Sequence, residues 1–250
     1  MKRKRHFPEG VTLESELRRV MDTLASTGVN YPPGYYEMLI LKYKKYGVRY
    51  PHILMRTGDP LIRKHSLYPE ILQKKVNLLD YGCGTGDDIR ALVHDGYPRD
   101  KIVGYDVNWS SINLGFDLYL DRDMWIDRFV VSKKFPFQSP TFDVVYSGFV
   151  LHVLGTSRAV KSYLSNAYSV LKPTGIFFGS TLSFGKDHPR PAWAKRWRWR
   201  IRRLWRRWRL KLLTQEALQK LLVESGFSNV EVSQESENNR LRLMFYAEKP

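Results

Sequence analysis

The chain is short of cysteine, of acid and of long apolar runs, and each shortage removes a class of function. Cys83 is the only cysteine in 250 residues, so an internal disulfide, a thiolate zinc cluster and a redox dithiol are all excluded. No stretch of about 18 apolar residues occurs, so no helical membrane span is expected. The opening Met1-Lys2-Arg3-Lys4-Arg5-His6-Phe7-Pro8 leads into no apolar signal core, and an intracellular, cytoplasmic protein is expected. No internal repeat is present.

Acids number 25 against 41 Lys and Arg, a formal charge of +16. Such a balance ordinarily points to nucleic acid or an anionic membrane. Its distribution says otherwise. Twelve Lys and Arg fall between Lys186 and Lys211 against Asp187 alone, and Lys2 to Arg5 add four more. The remainder is close to balanced, so nucleic acid is not the expected partner of the body. With 43% hydrophobic and 14% aromatic residues, the length suits one α/β domain with a sizeable core.

Val11, Leu13, Leu17, Val20, Met21 and Leu24 recur at helical spacing before Gly28, and Tyr31-Pro-Pro-Gly34 introduces a second, tyrosine-rich helix. Residues 1–70 are therefore expected to form an N-terminal helical cap, acting either as a lid or as packing. Strands are predicted over Val76–Tyr81, Ile102–Asp106, Phe129–Val131, Phe142–Ser147, Gly175–Leu182, Asn229–Ser233 and Leu241–Glu248, with helices such as Asp87–Asp95 and Arg158–Leu171 between them. This alternation predicts a mostly parallel sheet covered on both faces. The link Gln234–Arg240 is too short for a parallel crossover, so the last two strands are expected to be antiparallel.

The most informative stretch is Asp80-Tyr81-Gly82-Cys83-Gly84-Thr85-Gly86-Asp87-Asp88. An apolar strand runs into a turn with glycine at every second position, and a helix then opens on two aspartates that suit its positive end. A dinucleotide fingerprint would need glycine at 87, where this chain has aspartate. Two carboxylates at the helix start also oppose a pyrophosphate. Twenty residues beyond Gly86 the second strand ends in Asp106, placed to accept hydrogen bonds from both hydroxyls of an adenosine ribose.

Asp80 to Gly86 resembles the first motif of class I S-adenosylmethionine-dependent methyltransferases. Phe142-Asp-Val-Val-Tyr-Ser147 is similar to their fourth strand, and Leu171-Lys-Pro-Thr-Gly175 to the turn before their fifth. More narrowly, Asp88-Ile-Arg-Ala-Leu-Val-His-Asp-Gly96, Leu114-Gly-Phe-Asp-Leu-Tyr119 and Asp121-Arg-Asp123 resemble a fungal secondary-metabolite group that includes meroterpenoid carboxyl methyltransferases. This similarity runs from about Val48 to Ser183.

The resemblance implies a Rossmann-like class I methyltransferase fold over residues 71–250, with seven strands, one of them antiparallel. It implies S-adenosylmethionine as cofactor and a polyketide or meroterpenoid as the small-molecule substrate of an O-methyltransferase. Asp80, Gly82, Cys83, Gly84 and Gly86 would line the methionine end. Asp106 would hold the ribose, with Val107 and Asn108 beside the adenine and Ser147 at the end of the fourth strand. Family members often place an aspartate after the third strand, where this chain has Ser132 and Lys133. Thr174 replaces a usual glycine, a change expected to be harmless.

A sulfonium methyl is already activated, so the protein must chiefly align an acceptor and exclude water. A carboxylate or acidic enol needs no base, whereas an aliphatic hydroxyl does. His152 follows the fourth strand and can serve as that base, orient the acceptor, or simply be bonded within a helix start. Tyr31, Tyr35, Tyr36 and Tyr50 can line an acceptor pocket or pack. Trp193, Trp197, Ile201, Leu204, Trp205, Trp208 and Leu212 form an apolar helical stripe among arginines in an insertion at about 186–212. Residues 193–212 can touch a membrane surface, dock on the domain or cover substrate, or bind nucleic acid. The oligomeric state cannot be read from the sequence, and the alternative activities are RNA or protein methylation and binding without transfer.

Overall fold

The computed structural model describes residues 10–46, 51–183, 213–237 and 240–250. The basic N-terminal run, Tyr50 and the Trp/Arg stretch lie outside the described residues. The strands are β1 (Leu78–Tyr81), β2 (Ile102–Asp106), β3 (Phe129–Val131), β4 (Phe142–Gly148), β5 (Leu171–Ser183), β6 (Ser228–Glu237) and β7 (Arg240–Glu248). The helices are α1 (Leu13–Ser26), α2 (Tyr35–Tyr46), α3 (Pro51–Leu54), α4 (Tyr68–Lys74), α5 (Asp87–His94), α6 (Trp109–Tyr119), α7 (Arg122–Trp125), α8 (Ser157–Val170) and α9 (Gln215–Glu224).

The seven-stranded sheet has the order β3-β2-β1-β4-β5-β7-β6. Pairs β2–β3 and β4–β5 are parallel, and β7 runs antiparallel to both β5 and β6. Near-continuous apolar runs such as Val144-Val145-Tyr146 suit strands buried on both faces, as parallel sheets require. The order starts at β1 and steps outward in both directions, which makes the carboxyl end of β1 a switch point where open sheets accept ligands.

Two strand boundaries depart from expectation. The polar segment from Gln234 onward is not a loop: β6 continues to Glu237 and β7 begins at Arg240. β6 lies at the sheet edge, where polar side chains are normal, and Glu235 faces Arg242 in register with an ion pair at 2.7 Å. β5 starts at Leu171 rather than Gly175. Thr174 within it has φ 63°, a left-handed backbone that glycine adopts freely and a β-branched residue does not. Thr174 therefore takes a backbone angle that the glycine usual at this turn would reach more easily.

The chain forms two compact units, one of residues 1–75 and 80–135 and one of residues 76–79 and 136–250. In the first, α1 begins at a capping box in which Thr12 and Ser15 each accept from the other's backbone N–H. Its buried stripe Leu17, Val20, Met21 and Leu24 packs with Leu39 and Tyr43 of α2, Leu54 of α3, and Leu114 and Leu118 of α6. Tyrosine hydroxyls fasten this core. Tyr31 donates to the Leu118 carbonyl at 2.5 Å, Tyr35 to the Asp117 carbonyl at 2.8 Å and Tyr36 to the Glu14 carbonyl at 3.0 Å. All three hydroxyls are thus spent on backbone carbonyls.

In the second unit α8 buries Val160, Tyr163, Leu164, Ala167 and Val170. Phe177 of β5 stacks on Phe227 and meets Phe245 of β7 at 4.9 Å.

Candidate functional site

Gly82, Gly84 and Gly86 all have positive φ, at 88°, 58° and 78°, so the alternation of glycine in the sequence is a backbone requirement. Space imposes a second one at Gly86, where an added Cβ would come within 2.5 Å of the Phe129 ring and 2.7 Å of an Arg90 guanidinium nitrogen. The turn is anchored to β2, since Gly82 and Cys83 both donate to the Tyr105 carbonyl, at 2.7 and 3.1 Å. Asp106 completes the anchor. One of its oxygens accepts from Gly84 N at 3.1 Å and the other from Asn108 N at 2.8 Å.

Asp80 is the outlier in this loop. It is 1% exposed, and its Oδ2 has no hydrogen-bond partner among the described residues. Burial pushes its carboxyl well above the usual range, and the charges of Asp88, Asp106 and Asp87 push it further. Native proteins rarely leave a buried carboxylate oxygen unsatisfied. Cys83 is buried as well, and burial with the charges of Asp80 and Asp106 raises its thiol, so it lines the loop as a neutral group.

Asp87 and Asp88, at the start of α5, are committed elsewhere. Asp87 accepts from Gly58 N at 2.7 Å and the Tyr119 hydroxyl at 2.6 Å, and Asp88 accepts from Ile62 N at 2.9 Å. Both carboxylates still add to the negative potential around the turn. A cation is the ligand charge that this potential favours.

The remaining expected residues of the first unit surround Asp106. Val107 is 51% exposed and free to offer an apolar face. The Asn108 side chain is spent on Ser110 and Ser111, both at 2.7 Å, and its backbone N–H on Asp106. The Ser132 carbonyl accepts from the Tyr105 hydroxyl at 3.0 Å, and Lys133 is exposed. No acid occupies the end of β3.

Ser147 and His152 belong to the second unit. Ser147 is fully buried, and its hydroxyl is bonded to that of Tyr163 at 2.8 Å. The His152 backbone N–H donates to Thr181 Oγ1 at 3.1 Å, its Nδ1 lies 3.3 Å from the same oxygen, and the ring meets Phe149 edge-on.

One buried charged residue that contacts the turn was not singled out in the sequence. Arg90 of α5 is 8% exposed and donates to the Thr85 carbonyl at 2.6 Å and the Gly86 carbonyl at 3.1 Å. It is held by Asp121, and both residues fall within the narrower resembling stretches. The signal was present as an arginine four residues past Gly86, but its partner lies 31 residues away.

Comparison with known proteins bears on the family and the fold. The family described as a methyltransferase domain matches residues 52–232. The asnovolin E/chermesin D methyltransferase of Aspergillus novofumigatus is 32% identical over 41% of this chain and 40% of its own length. An O-methyltransferase of Stereocaulon alpinum is 31% identical over 57% of this chain and 45% of its own. The chain thus spans less than half the length of these curated relatives. Among solved structures, a SAM-dependent methyltransferase of Methanosarcina mazei superposes with a TM-score of 0.53 at 19% identity, covering 72% of this chain and 96% of the other. The [4+2]-cyclase SpnF superposes at 0.52 and 17% identity, covering 78% and 82%. Identities this low establish the fold, which hosts more than one chemistry. With a family match over residues 52–232, on a glycine turn whose shape and charge the structure accounts for, the chain belongs to the methyltransferase-domain family.

Proposed function

We propose that the protein is an S-adenosylmethionine-dependent O-methyltransferase of small-molecule natural products of the polyketide or meroterpenoid class, with a carboxyl or acidic enol oxygen as acceptor. The observation that carries the cofactor assignment is the buried, unpartnered Asp80 oxygen in an anionic glycine turn. An ammonium is the group that such an oxygen lacks, and the nearby carboxylates favour a ligand of net positive charge. Asp80, Gly82 and Gly84 would hold the methionine end and Asp106 the ribose hydroxyls, with Val107 and Asn108 beside the adenine.

Bound S-adenosylmethionine supplies a sulfonium methyl that is already activated for transfer. The chain's own task is to orient the two partners and keep water out. An acidic acceptor arrives ionised, so no residue need remove a proton in the transfer step. His152, whose Nδ1 lies 3.3 Å from the Thr181 hydroxyl, is therefore not required as a base. The acceptor class draws support from relatives whose names specify a natural-product methyltransferase and an O-methyltransferase.

The test offers methyl-labelled cofactor to aromatic polyketide acids and enols, to RNA and to protein. Label recovered in the acids and released as methanol by base supports carboxyl methylation. Label that survives base in an enol supports the other acceptor. Transfer to RNA or protein alone would overturn the small-molecule assignment, and binding with no transfer to any of them would mark a protein that uses the fold without methylating.

A further inference from the structure

The glycine turn has a support on the side of α5 that none of its ligand-facing residues supplies. The Arg90 guanidinium is gripped by Asp121 through two bonds, Nε to Oδ2 at 2.6 Å and Nη2 to Oδ1 at 2.8 Å. Its remaining nitrogen, Nη1, donates to the carbonyls of Thr85 and Gly86. The flat ion lies 4.2 Å from the centre of the Tyr119 ring, and the Tyr119 hydroxyl in turn donates to Asp87, the residue after Gly86. α6 closes in from the same region, since an added Cβ on Gly115 would sit 2.1 Å from the Thr85 carbonyl oxygen. Thus Arg90, Gly115, Tyr119 and Asp121 converge on two consecutive peptide units of the turn.

Peptide units are planar, so holding the Thr85 and Gly86 carbonyls fixes two successive planes and with them the left-handed angle at Gly86. The arrangement needs arginine in particular. Its planar fork can grip a carboxylate on one edge while donating from another, and a lysine ammonium of equal charge cannot. A buried arginine also costs desolvation unless paired, and the Asp121 pair offsets that cost. The strongly satisfied ion pair behind the turn thereby leaves Asp80 as the unsatisfied carboxylate in front of it.

We propose that Arg90, clamped by Asp121, is a positioning residue for cofactor binding that acts through the Thr85 and Gly86 carbonyls to preset the glycine turn. This rests on the cofactor assignment above and adds a determinant of affinity that touches no ligand. The prediction separates a preset site from mere stability, because a preset turn changes the dissociation constant under conditions where every variant is fully folded.

Calorimetric titration with S-adenosylhomocysteine at a temperature well below melting, alongside thermal melts, compares the wild type with Arg90→Lys, Asp121→Asn and Tyr43→Phe. Arg90→Lys is expected to weaken binding by about tenfold and the isosteric Asp121→Asn by about threefold. Tyr43→Phe, which loosens the α2 contact with Asp117 instead, is expected to melt lower and bind as the wild type does. If Arg90→Lys fails to fold, Asp121→Asn decides alone. Wild-type affinity in the folded variants at 90 and 121, with only their melting lowered, would reduce the pair to a structural brace and overturn the proposal. A wild type that binds no S-adenosylhomocysteine would instead overturn the cofactor assignment itself.

Discussion

Two polar clusters in the first unit use the same kinds of side chain and reach opposite states. At the clasp between α2 and α6, Asp117 accepts from Lys42 at 2.6 Å and from the Tyr43 hydroxyl at 2.5 Å, while Tyr35 donates to its backbone carbonyl. Burial, then the charge of Asp117, pushes the Tyr35 hydroxyl up to about 12, and burial with the Asp117 hydrogen bond raises Tyr43 further. These hydroxyls stay protonated and act as fasteners. At the glycine turn, Asp80 is buried among other carboxylates with one oxygen unpartnered. The clasp is satisfied by the fold alone, whereas the turn, on the proposed assignment, is completed by a cationic ligand.

The sharpest way to break this comparison is Asp106→Ala. That change removes the proposed ribose acceptor and leaves the Gly84 and Asn108 amides without it, so S-adenosylmethionine affinity is expected to fall by about 100-fold or more in a titration. Affinity within threefold of the wild type would remove Asp106 from the site.

Asp80→Asn should cut affinity by about tenfold while raising the melting temperature of the ligand-free protein at pH 8 by about 2–4 °C. The sign follows from Asp80's raised pKa. Its contribution favours the fold below the unfolded value of about 3.9 and is lost as pH rises through the folded value, so an ionised Asp80 opposes folding without a ligand. A lower melting temperature would show that Asp80 is already satisfied.

At the clasp the same experiment should read the other way. Tyr43→Phe is expected to cost about 1 kcal/mol of stability, seen in denaturant titration, because it removes one donor from Asp117. The smallest effect belongs to the second unit, where Thr174→Gly relieves the left-handed strain and should stabilise by about 0.5–1 kcal/mol, net of the entropy that glycine adds to the unfolded chain. Unchanged or lower stability would mean that the φ of 63° at Thr174 carries no strain.

Patterns local in sequence were the legible ones. Asp80, the three glycines and Asp106 lie within 27 positions and follow strand signals, so the turn and its acid could be read directly. The antiparallel final strands followed from a connection too short to cross over. Gln234 to Glu237 read as a loop because edge strands tolerate the polar residues that loops also use. Arg90 with Asp121, and Tyr119 with Asp87, could not be paired in advance, since each is joined by folding across 31 and 32 positions. Ser147 had its strand placed well, but nothing local indicates that its hydroxyl turns toward Tyr163. The tyrosines near the N-terminus posed the same difficulty, because composition does not distinguish a pocket lining from a hydroxyl that fastens a helix.

The most direct test of the account is a calorimetric titration of the wild type with S-adenosylmethionine at pH 6, repeated in buffers of different ionisation enthalpy. The ligand's amino group, with an ordinary pKa of about 7.7–8.0, is already protonated there, so any proton exchanged reports on the protein. Saturable binding of one ligand per chain, weakened in Asp80→Asn and with any net proton release abolished there, is the predicted result. Proton uptake that depends on Asp80, affinity unchanged in Asp80→Asn, or no binding at all would contradict the claim that a cationic ligand completes the buried Asp80 carboxylate.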